Sequence, residues 1–332
     1  MLIYIVRRMA LMIPTLLICS ALVFTIIELP PGDYFESYMA ELQAQGESAD
    51  KAEIEHLKKE FGFDRHPVER YFIWLGGLMR GDLGYSFEHQ MSVNKVVGDR
   101  LFFTILVSFV TIIFTWLIAF PIGIYSATHQ YSWGDYGLTF IGLLGLATPS
   151  FLLALVMMYF SSVLFGTTIG GLMAKEFVNA PMSWAKFVSI LEHIWIPVIV
   201  IGTAGTAGMI RTLRANLLDE LQKQYYVTAK AKGLPPGRAL VKYPLRSALN
   251  FFIADIGSIL PQIVSGAEIV AIVLSLETTG PLLIKALQAQ DMYLAGSFLM
   301  FLALLTVIGV LISDILLAFL DPRIRLGGER SK

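Results

Sequence analysis

Cysteine is all but missing: Cys19 stands alone among 332 residues. No internal disulfide can form, and its place in an apolar run marks it as a small inert hydrophobe. Charge is nearly as scarce, since Asp, Glu, Lys and Arg make up 15% of the chain and cancel to −1. That balance excludes a global electrostatic pull toward nucleic acid, so any charge argument must be local. No G-x-x-x-x-G-K-[ST] loop occurs, and the chain therefore cannot cradle nucleotide phosphates itself. His193 has no second His or carboxylate at helical spacing, which argues against a metal site. With no nucleophile–base pair either, no catalytic residue and no resident cofactor are expected, and a membrane-embedded enzyme is disfavoured.

What is abundant is apolar surface. Hydrophobic residues make up 55% of the sequence and the mean hydropathy is +0.66, too greasy for a soluble domain of this length. A bilayer-spanning helix needs about 20 mostly apolar residues, and six runs qualify, near 9–29, 101–128, 137–165, 192–217, 247–276 and 293–320. The chain reads as an all-α polytopic membrane protein. The first run follows Arg7 and Arg8 but is too long for a signal peptide and lacks a small-x-small site before Pro30, so it is expected to stay as an anchor. Lys and Arg set the orientation. With the N-terminus inside, the cytoplasmic pieces carry 14 of them against 3 in the short outer loops, which predicts both termini in the cytoplasm. Four regions follow: 1–30 with the first helix, an outer cap region 31–100, a five-helix core 101–320, and a tail 321–332. Within the cap, 47–64 reads as a charged helix and YFIWLGGLMRGDLG, from Tyr71, as an amphipathic piece on the membrane surface.

One segment does not fit its greasy neighbours. Residues 225–246, YYVTAKAKGLPPGRALVKYPLR, hold Lys230, Lys232, Arg238, Lys242 and Arg246 and no acid. Strong helix formers predict a helix over 218–232. Gly233 would stop it in a left-handed C-terminal cap, while Pro235 and Pro236 allow a second helix to begin. The outcome is a helix-turn-helix elbow over 218–246. An ordinary basic cytosolic loop near anionic lipid is the plainer alternative. Structured flanks, and small residues Thr228, Ala229 and Ala231 before the glycine, argue for a surface that a partner approaches closely.

At this point the chain resembles a family. V-T-A-K-A-K-G-L, Val227 to Leu234, looks like the coupling-loop motif of ABC-importer permeases, of general form E-A-A, three residues, Gly. Together with L-R-S-A-L-N it is similar to the oligopeptide/dipeptide branch. I-V-R-R-M near the start, P-P-G-D at Pro30 to Asp33, W-L-G-G-L-M-R-G-D-L-G-Y-S from Trp74 to Ser86, T-P-S-F at Thr148 to Phe151 and L-L-A-F-L-D-P-R-I-R from Leu316 to Arg325 extend the likeness over nearly the whole chain.

The resemblance implies a type I ABC importer permease fold in a bacterial inner membrane. It further implies pairing with a second, similar permease, docking on two cytosolic ATPases that bind ATP and Mg, and service by a periplasmic substrate-binding protein. It assigns ATPase coupling to Val227, Thr228, Ala229, Lys230, Ala231, Lys232, Gly233 and Leu234. Peptides are the expected solute, with oligosaccharides, opines or nickel complexes as alternatives. The sequence departs from the family at Ala271, where Glu is usual, and at Glu277 and Thr278, where Pro-Gly is usual. Those positions bear on solute identity more than on mechanism. An ion-gradient-driven secondary transporter is the rival from another class, but the internal symmetry of such folds is absent.

Ionisable residues within spans default to functional candidates. Glu268 is expected on the translocation path; Asp255 and Asp314 are expected as structural acids at an interface, and Glu28 as an acid that reaches water. Trp74, Trp116, Trp133, Trp184 and Trp195 read mostly as interfacial anchors. Gly202, Gly205 and Gly208 read as a close-packing stripe, and Pro121, Pro149 and Pro197 as kinks.

Overall fold

The protein is described here by a computed structural model that covers residues 2–30, 32, 34–44, 56, 58–59, 62–166, 170–178 and 180–320. Most of the charged helix expected over 47–64 lies outside the described residues, as does the tail 321–332. Two compact units emerge, one from Met1–Thr104 and Thr278–Ile308, the other from Ile105–Glu277 and Gly309–Lys332. The expected cap region is thus grouped with the first helix and with part of the chain's last third.

The first unit begins with α1 (Leu2–Glu28), followed by α2 (Tyr34–Ala44) and α3 (Pro67–Met79). Pro67 opens α3 at a position where its missing N–H costs nothing, and the His66 ring accepts from Val68 N–H at 3.3 Å. A short hairpin pairs β1 (Tyr85–Ser86) with β2 (Met91–Ser92) and leads into α4 (Val93–Thr128). The unit is completed by α12 (Thr279–Gln288) and the first part of α13 (Met292–Leu320).

The amphipathic piece is a true two-faced helix. Tyr71, Trp74 and Leu78 pack with Phe24, Val23 and Ile27 of α1 and with Met292, while Val68, Phe72 and Met79 stay exposed. Trp74 is therefore a core residue rather than an interfacial anchor. Trp133 and Trp184, at 93% and 78% exposure, do suit that role. Glu28, expected to reach water, is partly exposed and also accepts from Arg70 at 2.5 Å. Asp291 is fully buried and accepts from the Ser86 hydroxyl at 2.7 Å and the Leu294 N–H at 3.2 Å. Its burial outweighs these bonds and raises its pKa.

The second unit is organised around α7 (Trp184–Leu221), which packs against α5 (Trp133–Ala147), α6 (Ser150–Phe165), α10 (Pro244–Gly266) and α11 (Glu268–Val273). Close approach is built into the glycines. A Cβ on Gly202 would lie 2.8 Å from the Phe114 ring, and one on Gly145 2.7 Å from Thr203 Cγ2. Between the helices α5 and α6 the chain bends by 99°. Pro149 causes this, because it cannot donate to the preceding turn and drives Thr148 into extended backbone, with ψ at 122°.

Among the described residues, α1, α4, α7 and α13 are each long and apolar enough to cross a membrane, and the bent α5–α6 pair would make a fifth. The third expected run is thus two helices. The fifth is also divided, since α10 ends at Gly266 and α11 starts anew at Glu268. Glu277, one of the departing positions, accepts the Leu172 N–H at 3.1 Å and so anchors the loop that joins α6 to α7.

Candidate coupling elbow and cavity

The elbow is built at the end of α7. Residues Gln222 and Lys223 break the helix expected over 218–232, and α8 (Gln224–Ala231) follows as a separate piece. Packing explains the break. Restarting the helix turns Tyr226 and Ala229 inward against Ala239 of α9 (Pro236–Lys242), with Leu221 and Leu234 closing the cluster.

The end of α8 is a Schellman cap. Leu234 N–H donates to Ala229 O at 3.2 Å and Gly233 N–H to Lys230 O at 2.9 Å, which requires the left-handed φ of +84° that Gly233 adopts. Pro236 then opens α9 as its first helical residue. Nothing lies within 4 Å of a Cβ added at Gly233, so this glycine is needed for its backbone rather than for space.

The eight residues expected to couple therefore divide in two. Val227, Thr228, Lys230, Ala231, Lys232 and Gly233 are exposed and form a presentable surface, whereas Ala229 and Leu234 face inward and hold the elbow together. Lys230 rests 4.9 Å above the Tyr226 ring. The Tyr225 hydroxyl donates to Glu220, and desolvation of the ring oxygen, helped by this bond, pushes the Tyr225 pKa up to about 12.

The elbow is fastened to the helices around it. Leu213 and Leu217 on the last turns of α7 pack against Ala127 of α4 and against Ala248 and Phe252 of α10. One turn away Arg214 grips Asp135 in a bidentate pair, Nη2 to Oδ2 at 2.8 Å and Nε to Oδ1 at 3.1 Å. The Asp135 side chain is only 3% exposed and also accepts the Tyr131 N–H at 3.0 Å, while the Asp135 N–H is capped by Ser132. This clamp ties the start of α5 to α7. Sequence reading missed it because the partners are 79 residues apart, although an Arg inside an apolar run was a visible signal.

Above the elbow α4, α7, α10 and α11 surround a half-open cavity of about 430 Å³. Thr111, Thr115 and Thr212 give it hydroxyls, Trp116 and Phe251 its aromatic walls, and Gly205 and Gly208 its smooth face. Asp255, expected as a structural acid, lines this space. Glu268, expected on the path, does not: its segment contributes Ala267 and Val270 instead. Trp116 is a cavity residue and not an anchor. Gly208 keeps the wall open rather than joining helices, since a Cβ there would meet nothing within 4 Å, whereas one on Gly205 would touch Thr115 Cγ2 at 3.9 Å. Asp314 is half-buried on α13, beside Ser313, whose hydroxyl donates to Ile253 O at 2.7 Å. Among the described residues no three His, Cys, Asp or Glu side chains are grouped to hold a metal ion.

Comparison with known proteins identifies the family. Residues 119–326 match the family described as binding-protein-dependent transport system inner membrane component, and residues 1–108 match the N-terminal region of such membrane components. An oligopeptide transport system permease protein, AppB, of Bacillus subtilis is 33% identical over 322 residues, covering 97% of this chain and 98% of the relative. A putative peptide permease of Brucella ovis is 30% identical over 98% of this chain and 100% of its own length. The peptidoglycan transport system permease protein YejB of Agrobacterium fabrum is 28% identical, with 97% of each chain covered. The chain belongs to the inner-membrane components of binding-protein-dependent transport systems, as an ABC importer permease of the peptide type.

Proposed function

We propose that this chain is one of two homologous permeases in an ATP-driven importer for oligopeptides or similar small solutes, and that the elbow from Leu218 to Arg246 is where ATPase movement enters it. In this reading both termini and the elbow face the cytosol, the 31–100 region faces the periplasm, and α10 with α11 supplies a sixth pass. Two cytosolic ATPase subunits bind ATP and Mg, a periplasmic binding protein delivers solute, and the permease pair opens to one side and then the other.

The observation that carries the proposal is the elbow itself. Six of its eight motif residues are exposed on a short helix and its glycine cap, and that helix is held to α9 and to Leu221 at the end of α7 by a buried cluster. A surface so held can pass a rigid displacement to a membrane helix without dissipating it in local bending. The permeases of oligopeptides and peptides among the relatives support the solute class.

A crosslink tests the proposal. Val227, 47% exposed on α8, changed to Cys in a chain with Cys19 replaced by Ser, should crosslink to a co-expressed ATPase subunit, and the yield should change when ATP is trapped. A complex with full solute-stimulated ATP hydrolysis but no contact at the elbow would sink the assignment.

A further inference from the structure

Helix α3 is apolar on two faces. One, formed by Tyr71, Trp74 and Leu78, packs on α1. The other, with Val68, Phe72 and Met79 at spacings of four and seven, stays exposed, Phe72 at 64% and Met79 at 76%. No charged residue occurs from Tyr71 to Met79, whereas a helix bathed in water carries polar or charged residues on its outward face. Beside this second face, α3 and the last turns of α1 leave an open groove of about 440 Å³, lined by Ala21, Phe24 and Leu29 on one side and by Val68 and Phe72 on the other.

The groove asks for an apolar occupant. Among the described residues, the polar side chains on its walls are already bonded within the protein: the Thr25 hydroxyl donates to Ala21 O at 2.7 Å, the Tyr71 hydroxyl shares a bond with Ser20 at 2.9 Å, and Glu28 accepts from Arg70. The groove is also continuous with the exposed stripe of a membrane-spanning helix, Ile18, Leu22, Ile26 and Leu29 of α1. From Ala21 to Leu29 it follows α1 for about 12 Å at 1.5 Å per residue, most of the roughly 15 Å that one leaflet gives to the hydrocarbon core. Its charged end carries both signs in equal number, the Glu28–Arg70 pair and, on the first turn of α3, the Arg65–Glu69 pair at 2.9 Å. An acyl chain below a zwitterionic headgroup matches that order of surfaces.

Resting on the orientation in the importer reading above, we propose that the α1–α3 groove holds one acyl chain of an outer-leaflet phospholipid, with the headgroup level with Glu28 and Arg70. The chain fills the gap that α3 leaves against α1, so α3 is fastened to the leaflet as well as to the protein.

The test maps where lipid touches the protein. The assembled importer is placed in nanodiscs containing phosphatidylethanolamine with a photoactivatable diazirine on its acyl chain, irradiated, and the adducts are located by mass spectrometry. Adducts at Thr25 and Phe72 should exceed those at Ile26, which lies at the same depth on α1 outside the groove, at least about fivefold. Ala21→Phe, which fills the groove, should bring that ratio to about one, and Leu22→Phe, outside it, should leave the ratio unchanged. Equal adducts at all three positions, or an enrichment that Ala21→Phe does not reduce, overturns the proposal; so does enrichment in the chain purified alone that vanishes in the assembled importer, since another subunit then covers the groove. Should Ala21→Phe fail to co-purify with the ATPase, the ratio in the unaltered complex decides alone. Asp64→Cys with Cys19→Ser, exposed to a membrane-impermeant maleimide in spheroplasts, separates the two levels: labelling from outside with equal adducts defeats the groove alone, whereas labelling only after lysis puts the groove in the other leaflet and defeats the orientation of the importer reading.

Discussion

Substitutions at Gly233 separate two ways in which the elbow could matter. The residue sits at φ +84° with open space around its Cα, so within the isolated chain a side chain is penalised by backbone conformation and by nothing else. For an ordinary L-residue the left-handed region costs roughly 1–2 kcal/mol. Ala should lie near the lower figure, which reduces the population of the capped elbow about fivefold, and β-branched Val near the upper, about thirtyfold. Asn enters this region with local hydrogen bonding and should lose least, about twofold. The expected order of solute-stimulated ATP hydrolysis in the reconstituted importer is Gly, Asn, Ala, Val, with membrane insertion unaltered. Had the glycine been needed because an ATPase surface presses against it, size would decide instead, and Asn would be worse than Ala. A result with Asn below Ala, or with all three variants equal to Gly233, would refute the conformational argument.

Three further outcomes are expected. Asp135→Ala leaves the Arg214 guanidinium without its partner and should lower the stability of the detergent-solubilised protein by roughly 3 kcal/mol, while Asp135→Ala with Arg214→Leu should recover most of that; additive losses in a thermal unfolding cycle would show that the clamp is not a coupled unit. Gly202→Ala, which forces a Cβ to within 2.8 Å of Phe114, should cost about 1–3 kcal/mol, whereas Gly208→Ala should leave the melting temperature unchanged and slow transport by narrowing the cavity. Tyr225 is held neutral in the folded elbow with its pKa raised from 10.0 to about 12; its contribution is complete below pH 10 and is lost as pH rises through 12. One phenolate should therefore titrate near 12 by ultraviolet absorbance, and Tyr225→Phe should remove it.

Much of the elbow is legible in the sequence, because Gly233 and Pro236 act through their own backbones and need no tertiary context. The break at Gln222 and Lys223 is not. Every residue there favours a helix, and only the burial of Tyr226 against Ala239 makes an interruption worthwhile. Pro149 announces its bend, but not that the bend reaches 99°. The cavity is the least legible part. Whether Asp255 or Glu268 faces it depends on the rotation of α10 and on the restart of the chain at Ala267, neither of which hydropathy reports. Trp74 and Trp116 mislead for a related reason: neither hydropathy nor position along the chain says which way a ring turns, and both turn inward.

The unbroken length of α7 has a mechanical corollary. From Gly208 on the cavity wall to Leu221 at the elbow, the same rod runs 13 residues, about 20 Å at 1.5 Å per residue. A rotation of about 3° imposed at its lower end, pivoting near Leu221, therefore shifts the backbone at Gly208 by roughly 1 Å. Because that wall carries glycine and not a flexible side chain, the backbone itself moves into the cavity, and a turn of a few degrees at the elbow is enough to change what fits there.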